Sequence, residues 1–104
     1  LNIYKKTKIK ENVSYSVIKG GIVNLTRQMA SYYGKSNIRV NTVCPGGVLD
    51  NQDKSFIKNY SERVPLGRLA NKNEIAQAVL FLASDASSYI TGTTFMVDGG
   101  WSII

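Results

Sequence analysis

The apolar positions of this chain fall into stretches of different period, and each stretch predicts an element. Val17, Ile18, Ile22, Leu25, Met29 and Tyr32 recur at three- and four-residue intervals. That is one stripe of a long helix over residues 13–33. Asn12 and Ser14 are candidate N-caps, and Gly34 stands where a C′ glycine would close the helix. Gly20 and Gly21 interrupt it, each at a cost of about 1 kcal/mol relative to Ala. Such a cost implies a close neighbour there: a cofactor, a strand or a second helix. Residues 38–44 (IRVNTVC) are rich in β-branched side chains and predict a strand that runs into a Pro45-Gly46-Gly47 loop.

Residues 46–70 are polar with scattered apolar anchors, of which Phe56, Ile57 and Tyr60 suit a short helix. A connection this long inside a compact domain is usually functional. Asn71, with Glu74 three residues on, resembles a capping box. Ile75, Val79 and Leu82, together with Ala76, Leu80 and Ala83, then give a second helix with a broad apolar face. Thr94 to Val97 predicts a second strand, closed by Asp98-Gly99-Gly100.

Helix, strand, long loop, helix, strand is the alternation of a parallel α/β sheet. Parallel sheets are covered on both faces, and two strands are too few to bury two amphipathic helices. The chain therefore reads as the back end of a larger domain. The opening Leu1 and the lack of a G-x-G-x-x-G segment point the same way.

Composition narrows the chemistry. The sequence has 104 residues, 13 Lys+Arg against 7 Asp+Glu, one cysteine and no histidine. Without histidine, a Cys/His zinc site and Ser-His-Asp or Cys-His catalysis are excluded within this chain, and no metal site is expected. Cys44 has no internal disulfide partner and suits a small buried apolar residue. No apolar run approaches the roughly 18 residues of a membrane span, and Lys5, Lys6, Lys8 and Lys10 precede no signal-peptide core. A cytoplasmic protein is expected. Half of the +6 net charge sits in residues 1–12, an irregular basic segment. With no arginine cluster, the charge reads as a solvated face rather than as a nucleic-acid site.

Tyr15 and Lys19 are four residues apart on the first predicted helix, about 6 Å along its axis and on one face. A phenol near pKa 10 is a weak acid/base at neutral pH, and a close ammonium favours its phenolate. A shift of about two units needs roughly 2.7 kcal/mol. Such a pair can act as general acid and base without histidine. Spacing alone also suits an exposed aromatic-cation pair. Tyr4 and Lys8 have the same spacing in the aperiodic segment, where it reads as coincidence.

The motifs that surround the pair resemble those of the short-chain dehydrogenase/reductase family. They are Tyr15-x-x-x-Lys19, Asn37-Ile38-Arg39-Val40-Asn41 running to Pro45-Gly46, Pro65-Leu66-Gly67-Arg68, Phe81-Leu82-Ala83-Ser84-Asp85, Tyr89-Ile90-Thr91-Gly92 and Val97-Asp98-Gly99-Gly100, in order from about Ser14 to Trp101. The resemblance implies the C-terminal part of a Rossmann-like, doubly wound parallel α/β sheet over residues 13–104. It implies hydride transfer between NAD or NADP and a small carbonyl/alcohol substrate. Tyr15 would be the general acid/base and part of the cofactor site, and Lys19 would lower its pKa and bind the nicotinamide ribose. Pro45, Gly46, Gly47 and Val48 would face the nicotinamide, and residues 48–64 would form a mobile substrate loop on which Phe56, Ile57 and Tyr60 pack against substrate or core. A homo-oligomer, dimer or tetramer, is implied, with the last strand at the interface and no membrane or nucleic-acid partner.

The family's glycine-rich motif, its active-site Asn and its catalytic Ser are not in this sequence, so the segment alone is expected to be inactive. Asp50 stands where relatives often carry Thr, and would turn away or bond the carboxamide. The Lys-rich start, Ala30 to Lys35 and Gly46 to Asn51 look most like members that act in bacterial surface-sugar or flagellin-glycan biosynthesis. The alternative is a truncated, non-catalytic module that associates with other proteins through its helix faces or binds an acidic partner.

Overall fold

The computed structural model describes residues 13–104, with side chains from Ser16 onward. The basic segment 1–12, the Tyr4/Lys8 pair and the capping roles of Asn12 and Ser14 lie outside that description. Helix α1 spans Val13–Tyr33, strand β1 Thr42–Pro45, helix α2 Lys54–Arg63, helix α3 Lys72–Ala83 and strand β2 Thr94–Val97. The strands pair in parallel, Thr42 opposite Thr94 through Pro45 opposite Val97. The expected α/β order is therefore realised around a parallel pair.

β1 is shorter than the run 38–44 predicts. Asn41 replaces the ladder with its side chain: its amide nitrogen donates to the Ile90 carbonyl at 3.0 Å, and its oxygen accepts the Thr93 N–H at 3.1 Å. Arg39 likewise leaves the strand pattern. Its guanidinium donates to Ser87 Oγ and to the Ser84 and Ile90 carbonyls. The I-R-V-N stretch thus ties the entry of β1 to the turn that precedes β2.

One expectation for α1 fails. Gly34 does not take the left-handed C′ role. A 3-10 turn, Gly34–Ser36, continues the helix, and Asn37 ends it at φ 59°. Asn can take this conformation because its short polar side chain lowers the steric cost. Gly20 and Gly21 have no neighbour within 4 Å of an added Cβ among the described residues, so none of these is the close neighbour expected there.

α1 meets the sheet through small residues. Thr26 donates to its own helix at the Ile22 carbonyl, 2.8 Å away, so the Thr42 hydroxyl must donate in the 2.6 Å contact between Thr26 and Thr42. One turn on, buried Ala30 lies against Gly92. The larger residues of the stripe, Val17, Ile18 and Leu25, are 68%, 60% and 55% exposed. The described chain covers only the Thr26–Ala30 edge of this helix.

The buried cluster is instead formed by Tyr60, Val64 and Leu69, with Phe56, Ile57 and Trp101 packed on it. The predicted short helix exists as α2, capped by Asp53. The capping box at α3 is also present: Asn71 Oδ1 accepts the Asn73 and Glu74 N–H groups, and Glu74 accepts the Asn71 N–H.

Candidate active site

The loop Pro45-Gly46-Gly47-Val48 leaves the carboxyl end of β1, which is where ligands of open α/β sheets bind. Its backbone is held from three directions. Gly46 N–H donates to the Val97 carbonyl at 2.9 Å, prolonging the parallel ladder. Gly47 N–H donates to the hydroxyl oxygen of Tyr60 at 2.6 Å. The Gly47 carbonyl accepts Ala70 N–H at 2.9 Å, and Leu49 N–H donates to the Ala70 carbonyl at 2.8 Å, which forms a Val48–Ala70 bridge. Gln52 Nε2 adds a 2.6 Å bond to the Val48 carbonyl. The Val48 N–H takes no partner among the described residues.

Both glycines are required by close approach. A Cβ at Gly46 would lie 2.8 Å from Asp98 Cα, and one at Gly47 would lie 2.7 Å from Cζ of Tyr60. The ring that Gly47 lies against is therefore a tyrosine of this chain. Tyr60 is buried, stacks on Trp101 with ring centroids 4.8 Å apart and planes 7° apart, and stacks on Phe56 at 6.0 Å. Sequence reasoning named Tyr60 only as an anchor and missed its hydroxyl bond. Its i+4 spacing from Phe56 signalled a buried face, but nothing local signalled the partner. A cavity of about 440 Å³ opens beside the loop, with Gly47, Tyr60, Leu66, Met96, Asp98 and Gly100 on its wall.

The charged groups nearby serve the backbone. Asp98 accepts the Gly100 and Ser102 N–H groups at 3.0 Å each. Hydrogen bonding from Ser102 first, then from Gly100, holds its carboxyl below the usual range. Glu74 receives both guanidinium nitrogens of Arg68, at 2.6 and 3.0 Å. That bond, with the Asn71 N–H, lowers the Glu74 pKa to about 2, and the Arg68 pKa rises in turn. Asp50 turns away from the loop toward Lys72, at 3.7 Å on the surface. Cys44 is half-buried in β1. No group of three or more metal-ligating side chains occurs among the described residues, and none of the described helices is long and apolar enough to cross a membrane.

Lys19 is exposed on α1, and Tyr15 lies one turn earlier on the same helix, its side chain outside the described residues. Pro45 is the exposed last residue of β1, while Gly46, Gly47 and Val48 are half-buried.

A parallel strand pair that delivers a rigid glycine loop past its carboxyl end defines part of a ligand-binding α/β domain. Comparison with known proteins identifies which. A family model described as enoyl-(acyl carrier protein) reductase matches residues 3–102. The 2-keto-3-deoxy-L-fuconate dehydrogenase of Xanthomonas campestris is 37% identical over 99 residues, which are 85% of this chain and 33% of that protein. The post-translational flagellin modification protein A of Campylobacter coli is 38% identical over 100 residues, 96% of this chain and 39% of that protein. A short-chain dehydrogenase from Leptospira borgpetersenii, solved with bound NAD+, superimposes with a TM-score of 0.80 at 41% identity, over 85% of this chain and 35% of that one. The chain belongs to the short-chain dehydrogenase/reductase family, and it spans well under half the length of these relatives.

Proposed function

We propose that this chain carries the acid/base helix and the nicotinamide-facing loop of an NAD(P)-dependent oxidoreductase acting on a small carbonyl/alcohol pair. The observation that supports this most is the register between α1 and β1. Ala30 lies against Gly92, whose N–H donates to the Val40 carbonyl, and Thr26 bonds Thr42. Four helical residues back therefore match two strand residues forward, as rises of about 1.5 and 3.3 Å per residue require. Continued in the same direction, position 19 comes about level with Pro45 and position 15 with Gly47.

The loop suits a nicotinamide. With the Gly46 and Gly47 amides already committed, the Val48 N–H would be the donor for the carboxamide oxygen, and the Val48 carbonyl, which already accepts from Gln52, would have one lone pair left for its nitrogen. When bound, the nicotinamide supplies or accepts the hydride. Tyr15 Oη gives a proton to the substrate oxygen in reduction and takes it back in oxidation. Lys19 stabilises the phenolate and binds the nicotinamide ribose. Pro45 fixes the direction in which the loop leaves the strand.

The relatives' names point to different substrates, so the reading stays at the carbonyl/alcohol class. We further read the protein as a cytoplasmic homo-oligomer, since the open stripe of α1 needs cover from further elements of the domain or from a second copy. Residues 13–104 would serve as one part of a larger Rossmann-like domain, inactive alone.

The test is to titrate the complete gene product with NADH and NADPH and to follow reduced-cofactor absorbance with a panel of ketones and sugar-derived carbonyls. Binding of one cofactor and turnover of at least one carbonyl are expected. A protein that binds neither would overturn the reading in favour of an association module.

A further inference from the structure

We infer that Tyr60 is a positioning residue for the cofactor loop, acting through Gly47. This inference rests on the oxidoreductase reading and deepens it. Three observations converge on it. The Tyr60 hydroxyl oxygen accepts the Gly47 N–H at 2.6 Å from a side chain that is only 7% exposed. The ring covers Gly47 so closely that a Cβ would meet three of its carbons at 3.0 Å or less. The ring is itself held by stacking contacts with Phe56 of α2, at 6.0 Å between centroids, and with Trp101 beyond β2, at 4.8 Å.

The consequence is specific to one peptide. The Gly47 amide is committed to Tyr60, which leaves the Val48 N–H, without a partner among the described residues, as the donor that can meet a ligand. If Gly47 were released, rotation of the peptide planes on either side would let the Val48 amide wander, and a glycine pair offers little resistance to that. Tyr60 also sits on α2, inside the segment that the family resemblance assigns to substrate. Contact between α2 and the loop therefore joins the two ligand-binding parts through one hydroxyl. Asp98 backs the neighbouring Gly46 in the same way, through its backbone.

Tyr60→Phe is the informative variant, because it keeps both ring stacks and removes only the acceptor. In the complete gene product, the expected result is faster hydrogen exchange at the Gly47 amide and a roughly three- to tenfold weaker Kd for the reduced cofactor, the scale of one lost hydrogen bond. The melting temperature should fall modestly, because the half-buried Gly47 amide loses its acceptor. Val64→Ala, which loosens the same buried cluster without touching the loop, should lower the melting temperature and leave Kd within about twofold. A purely structural Tyr60 would give the same pattern as Val64→Ala. Unchanged Gly47 exchange in Tyr60→Phe, or faster exchange with unchanged cofactor affinity, overturns the positioning role. Wild-type protein that binds neither NADH nor NADPH overturns the oxidoreductase reading and this role with it, so the two failures are distinguishable.

Discussion

The Thr42 hydroxyl donates to the Thr26 hydroxyl across 2.6 Å, and Thr26 in turn donates a hydrogen bond to the Ile22 carbonyl at 2.8 Å. This short relay is the polar contact between the helix that carries Tyr15 and Lys19 and the strand that ends in the glycine loop. It fixes how far along β1 each turn of α1 stands. Among the described residues, the contact is made by threonine and alanine, since the bulky residues of α1 point elsewhere.

Thr26→Val should therefore destabilise the protein by about 1 kcal/mol, because it leaves the half-buried Thr42 hydroxyl without its partner. Adding Thr42→Val should recover most of that loss, since replacing both partners by apolar groups of the same shape is nearly neutral. Denaturant midpoints of the two single variants and the double variant check this. A double variant as unstable as the sum of the singles would contradict the relay.

Gly47→Ala places a methyl 2.7 Å from Cζ of Tyr60. Overpacking of this kind costs about 1–3 kcal/mol. In a Tyr60→Leu background the cost should shrink by about half or more, since the two sites share one space. Equal costs of Gly47→Ala in both backgrounds, read from denaturant curves, would show that the ring is not what excludes the methyl.

Glu74 governs a pH dependence. Its folded pKa is about 2 against an ordinary value of 4.5, held down first by Arg68 and then by the Asn71 N–H. A depressed folded value contributes stability above the unfolded pKa, and that stability is lost as pH falls from about 4.5 toward 2. The pair is exposed, so salt weakens it. The melting temperature of Glu74→Gln should lie below that of wild type at neutral pH, and the gap should close as pH falls through this window. A gap that stays constant down to pH near 2 would rule out the carboxylate as its source.

Elements set by local periodicity and capping were legible in the sequence. The stripe of α1, the Asn71–Glu74 box and the Thr94–Val97 strand each occupy the predicted residues. What was not legible depends on partners far along the chain. Residues 38–41 look like strand, yet Arg39 and Asn41 spend their side chains on carbonyls more than forty residues away. Pro45-Gly46-Gly47 announced a loop. That the glycines answer to Asp98 and Tyr60 could not be read from the doublet itself. Asn37 displaced Gly34 as helix terminator because a 3-10 turn absorbed the intervening residues.

In the proposed mechanism Tyr15 exchanges a proton with the substrate oxygen, and Lys19, one helical turn further on, favours the Tyr15 phenolate. The most direct test is turnover of Tyr15→Phe in the complete gene product, with cofactor binding measured alongside. General acid/base catalysis of this kind contributes about 10²- to 10⁴-fold. The expected result is a loss of kcat on that scale with cofactor affinity within about threefold and an unchanged melting temperature. A Tyr15→Phe protein that turns over at close to the wild-type rate would contradict it.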